Sequence, residues 1–239
     1  MALARDRLIV ALDVPSADQA RALIDALQDS VGVYKIGLEL LFAGGMALAS
    51  ELASRGMHVF IDAKLLDIEA TVERATASIA RTGAEFLTVH AVDRKTLDAA
   101  VRGRGDSSLK LLGVTVLTNL GPADLVQQGT DIPPGELVLH RAMLAKEAGF
   151  SGVVASGLEA AAIRDAAGTG FFIVTPGIRP QGGATQDQAR VATPASAIAA
   201  GADYLVVGRP SPRHLTLAPR PRRSSQRSRE LCQASSATR

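Results

Sequence analysis

Asp62 and Lys64, a carboxylate and an ammonium two residues apart, lie in the stretch VFIDAKLLDIEATV (residues 59–72), and Asp67 follows three residues later. The apolar residues around them belong in a core, where charges are rarely buried unless they are paired. The chemistry on offer is electrostatic and acid–base: a carboxylate keeps an ammonium charged, and a fixed ammonium can face a developing negative charge. Side chains alternate along a strand, so Asp62 and Lys64 share a face, Ala63 points away, and Phe60 lies one layer deeper. Lys35, on a neighbouring strand, reaches the same place, which gives an array Lys35–Asp62–Lys64–Asp67 with each charge beside its opposite. An isolated Asp-x-Lys reads best as a surface ion pair of little energetic weight. Four such charges at two neighbouring strand ends favour a site.

The elements that must position these charges recur along the chain. Short β-type runs occupy residues 7–13, 33–38, 58–62, 85–90, 109–116, 151–156, 171–176 and 203–208. Amphipathic stretches rich in Ala and Leu separate them. Ser16 reads as an N-cap and Gly56 as a C-cap glycine. Eight alternations of strand and helix predict a (β/α)8 barrel, a TIM barrel. An open doubly wound sheet is the weaker alternative, since no Gly-x-Gly-x-x-Gly follows the first strand. A barrel puts its site at the C-terminal strand ends. Those ends carry Asp13, Lys35, Asp62 with Lys64, His90, Thr118, Ser156, Arg179 and Gly208-Arg209.

Composition sets the context. A chain of 239 residues, 47% hydrophobic but only 3% aromatic and without Trp, must pack its core with small aliphatic side chains, as a parallel sheet under helices does. Cys232 is the single cysteine, which leaves no intrachain disulfide or cysteine-based zinc site and fits a reducing cytoplasm. The start, MALARDRLIVALDV, is neither a signal peptide nor a membrane span, and no other run is long and apolar enough to cross a bilayer. From Pro210 onward seven Arg face one acid, Glu230, so this part carries +6 of a net +2 and leaves residues 1–209 at −4. The body is therefore mildly acidic, and the whole-chain charge gives no reason to expect nucleic-acid binding.

Asp62-x-Lys64-x-x-Asp67-Ile68, with Thr71 beyond it, resembles the signature of the orotidine 5′-monophosphate decarboxylases. ALDVPS, VYKIGLEL, TVLTN, TPGIRPQGGATQDQARVATP and DYLVVGRP resemble that family's other motifs, so the likeness spans nearly the whole body. It implies decarboxylation of OMP to UMP in pyrimidine synthesis, with no cofactor and no metal. It also implies roles: Lys64 as the proton donor, Asp62 holding it protonated, Lys35 positioning Asp62 and touching the ribose, and Asp13 on the ribose. Thr118 would contact the base. Arg179, Gln188, Gly208 and Arg209 would hold the phosphate, with Gln181 the other candidate for the contacting glutamine. Asp67 would reach the active site of the partner subunit, which implies a homodimer, and Ile68 and Thr71 would contact the substrate.

The chain departs from the family pattern at Leu66, Glu69 and Ala70, and at Val92-Asp93 after His90. Glu69 brings a negative charge toward an anionic nucleotide unless it points outward. His90 reads as structural, closing a strand end. After Pro210 the sequence is rich in Arg, Ser and Pro where the family continues into a last helix. The reading is therefore a barrel over 1–212 and a disordered tail over 213–239 in place of that helix, consistent with a shifted reading frame; a nucleic-acid-binding arm is the alternative. Two other functions compete with the decarboxylase. One is a metal-dependent sugar-phosphate decarboxylase or aldolase of the same superfamily, which carries an acid where Lys35 stands. The other is a non-catalytic nucleotide-phosphate binder.

Overall fold

The computed structural model describes residues 4–27, 30–178 and 193–208. Eight parallel strands close into a barrel in chain order: β1 (Leu8–Ala11), β2 (Val33–Ile36), β3 (His58–Leu65), β4 (Phe86–His90), β5 (Lys110–Val114), β6 (Gly152–Val154), β7 (Phe172–Thr175) and β8 (Tyr204–Val207). Pairing of β1 with β8, Ile9 opposite Val206, completes the ring. All eight strands fall where the sequence places them, and β3 runs three residues further than its apolar pattern suggests. The helices outside are α1 (Ala17–Leu27), α2 (Leu38–Leu40), α3 (Met46–Ser54), α4 (Glu69–Ala80), α5 (Arg94–Arg104), α6 (Pro122–Gln127), α7 (Pro134–Glu147), α8 (Ala160–Ala167) and α9 (Pro194–Ala199).

Local signals explain the boundaries. Ser16 Oγ accepts from the Gln19 amide at the start of α1, the cap its position predicts. Beyond α3, Gly56 takes φ 77°, a conformation that favours glycine, and its amide bonds back to the Ala53 carbonyl. The tail over 213–239, the expected loss of the last helix, and the candidates Arg179, Gln181, Gln188 and Arg209 lie outside the described residues.

Strand alternation divides the apolar side chains into two bodies. Val10, Leu12, Tyr34, Ile36, Val59, Ile61, Leu87 and Leu111 face outward and pack beneath the helices. Ile9, Ala11, Val33, Phe60, Phe86, Leu112, Val174 and Val206 fill the barrel interior. At its N-terminal end Phe86, Phe172 and Tyr204 pack edge to face, with Phe86 and Tyr204 centroids 5.3 Å apart. The Lys110 ammonium lies over this floor, 5.2 Å from the Phe86 ring, and pairs with Glu85 at 2.7 Å. Two residues further along three of the inward rows the apolar series turns polar: Val33 gives way to Lys35, Phe60 to Asp62 and Ala11 to Asp13. The fold thus delivers its charges to the C-terminal mouth, above an apolar floor.

Candidate active site

A cleft of about 310 Å³ opens at that mouth. One wall is charged, with Asp13, Lys35, Asp62 and Lys64; Phe60, Val114, Val154 and Val206 make the apolar part. Thr118 and Asn119 face it from the loop after β5, and Gly208 from the end of β8.

Asp62 is the hub of the charged wall. Its Oδ2 lies 2.8 Å from Lys64 Nζ and 3.2 Å from Lys35 Nζ, and Lys35 reaches on to Asp13 Oδ1 at 3.5 Å. Asp62 and Lys35 are each only 9% exposed. Burial pushes the Asp62 carboxyl upward, but the Lys35 and Lys64 ammoniums and hydrogen bonds from Lys64 and Thr88 prevail and hold it below its ordinary range. The cluster is a carboxylate clamped between two cations, and one cation, Lys64, projects into the cleft.

Plain alternation does not explain how Asp62 and Lys64 meet. Phe60 and Ile61 pair with Phe86 and Leu87, but the next pair is Leu65 with Val89. Asp62, Ala63 and Lys64 therefore stand opposite a single residue of β4, Thr88. Lys64 takes φ 50°, and it is the one non-glycine among the described residues with positive φ. That conformation costs an L-residue about 1–2 kcal/mol. A bulge of this kind bends the strand and re-aims its side chains, and here it turns Lys64 back onto Asp62.

The structure separates Asp67 from the array expected within one chain. Asp67 is exposed and its Oδ1 accepts from the Ile68 amide at 2.6 Å. Ile68 is 73% exposed, and Thr71 lies in the first turn of α4; none of the three lines the cleft of their own subunit. Glu69, the charge that threatened an anionic ligand, points away from the cleft and pairs with Arg102 of α5. His90 is half-buried and outside the cleft lining; burial, then the Lys64 and Arg141 charges, push its imidazole toward the neutral form.

Sequence reasoning missed Thr88, whose only signal was a hydroxyl in the otherwise apolar run FLTV. It also missed Asn119 and Arg141, the latter on α7 with Nη1 donating to the Thr115 carbonyl at 2.7 Å, beneath the loop that carries Thr118. Among the described residues no three His, Cys, Asp or Glu side chains come together as a metal-binding group.

The sequence profile of the orotidine 5′-phosphate decarboxylase / HUMPS family matches residues 6–226. The chain belongs to that family. Among its relatives is the orotidine 5′-phosphate decarboxylase of Rhodopseudomonas palustris strain BisA53, 56% identical over 207 residues, 87% of this chain and 88% of the relative. The enzyme of the same name from Methylobacterium nodulans is 52% identical over 225 residues, 93% of each chain. In structure, the orotidine 5′-phosphate decarboxylase of Lactobacillus acidophilus superposes with a TM-score of 0.75 at 35% identity, over 85% of this chain and 90% of that one. Family membership thus agrees with a barrel whose charges meet at one mouth.

Proposed function

We propose that the protein is an orotidine 5′-monophosphate decarboxylase, converting OMP to UMP and carbon dioxide in pyrimidine biosynthesis. The observation that carries this reading is the Lys64 ammonium held 2.8 Å from buried, ionised Asp62 at the cleft wall. The C6–carboxylate bond breaks, carbon dioxide leaves, and the electron pair stays on C6 as a vinylic carbanion. No cofactor delocalises that pair, so the reaction needs a cation already in place beside C6. Lys64 supplies it and then donates its proton to C6; solvent returns a proton to the amine. Asp62 keeps Lys64 charged, and Lys35 holds Asp62 from the other side.

The remaining roles follow family likeness. Asp13 and Lys35 meet the ribose, Thr118 the base, and Arg179, Gln188, Gly208 and Arg209 the phosphate. Gripping the distant phosphate uses binding energy remote from the reacting carbon to orient the base. Asp67, Ile68 and Thr71 act in the site of a second copy. That assignment is supported by their position outside their own cleft, and by Leu38, Leu66, Ile68, Val92 and Leu117, exposed apolar residues in the segments just after β2 to β5. A cytoplasmic enzyme suits the lone Cys232, and no helix among the described residues is long and apolar enough to cross a membrane.

The test is loss of OMP absorbance with purified protein, with and without EDTA, beside Lys64→Ala. EDTA-resistant turnover that disappears in the variant is expected. Turnover that EDTA abolishes, or that survives in Lys64→Ala, would overturn the assignment.

A further inference from the structure

Thr88 is the one residue of β4 that faces the three-residue bulge Asp62–Lys64, and it is fully buried. Its hydroxyl does two things at once. It accepts the Lys64 backbone N–H at 3.0 Å and donates its proton to Asp62 Oδ1 at 2.9 Å. The chain of bonds therefore runs from Lys64 N–H through Thr88 to Asp62, on the oxygen opposite the one that the two ammoniums share. Where the bulge interrupts the β3–β4 ladder, this hydroxyl stands in for the missing backbone partner. It fixes both ends of the strained segment to one point, and so sets where Lys64 Nζ stands relative to the cleft.

We infer that Thr88 is a positioning residue for the decarboxylation, acting through Asp62 and Lys64 without touching substrate. The inference rests on the function proposed above. It requires a hydroxyl at this position rather than merely a side chain of this size. Valine has nearly the same volume but leaves the Lys64 amide and Asp62 Oδ1 unpaired in a buried place. Misplacing a catalytic group by about 1 Å lowers a rate about 100-fold. The loss should fall on kcat, because the remote contacts to ribose and phosphate remain.

The test compares Thr88→Val, Thr88→Ala and Thr88→Ser with the unmodified protein in the OMP assay, with UMP affinity measured by calorimetry. Thr88→Val and Thr88→Ala are expected to lower kcat about 10- to 100-fold while KM and UMP affinity move by less than about threefold. Thr88→Ser should recover kcat to within about threefold of the unmodified protein. Equal losses in Ser and Ala, or a Val variant with unchanged kcat, would overturn the inference. If Val fails to fold, the Ser and Ala pair decides by itself. A wild-type protein with no OMP turnover would overturn the function instead. UMP affinity would then separate that failure from misfolding.

Discussion

His90 sits at the end of β4 in the field of Lys64 and Arg141, and its burial disfavours a charged ring. An unfolded chain has no such objection, so below the ordinary histidine pKa of about 6.5 it takes up a proton that native His90 resists. Stability should therefore fall as pH drops through that range. Asp62 adds a second loss in stronger acid: its carboxyl is held below the ordinary carboxylate value of about 3.9, so the stability it contributes is complete above that value and is lost as pH falls from there through its own lowered pKa. The expected outcome is that moving from pH 7.5 to 5.5 lowers the melting temperature of the wild type more than that of His90→Asn. Equal shifts would show that the field around His90 does not couple to folding. At this scale much was legible: Asp13, Lys35, Asp62 and Lys64 betray themselves because charge does not belong at the inner ends of apolar strands. Thr88 did not, because threonine is an ordinary strand residue and nothing local marks the one whose hydroxyl has buried partners.

Elements were legible to the extent that periodicity encodes them. Short apolar β-type runs separated by amphipathic stretches located eight strands, and a capping residue, Ser16, located a helix start. The β3 bulge was not visible, because register between neighbouring strands depends on the partner's residues as well as the strand's own. Helix contact shows the same limit. Gly103 of α5 lies against α4 so closely that a Cβ on it would stand 2.2 Å from the Glu73 carbonyl and 2.8 Å from Thr76 Cβ. Only a glycine permits that approach, and the obstacle is backbone that cannot swing aside. Gly103→Ala should force the helices apart and destabilise the fold by about 1–3 kcal/mol, read as a lower urea midpoint. Because Thr71 rides on α4 and Asp67 on the loop leading into it, activity should fall further than stability alone explains. An unchanged midpoint would mean that α5 shifts freely.

Across the whole molecule, the position of Asp67, outside its own cleft, predicts complementation. In the proposed homodimer, Lys64→Ala and Asp67→Ala proteins should each be nearly inactive, yet mixing them and allowing subunit exchange should restore about a quarter of wild-type activity, since half of such dimers would be mixed and each would carry one intact site of two. Exchange without recovery would place Asp67 outside the chemistry. The barrel itself carries one more implication. Its N-terminal end is filled, among the described residues, by Phe86, Phe172 and Tyr204 with the Lys110 ammonium over them, at the end of the barrel opposite the charged mouth. Nucleotide and gas are therefore expected to share the charged mouth, with carbon dioxide formed beside Lys64 leaving past UMP or after it.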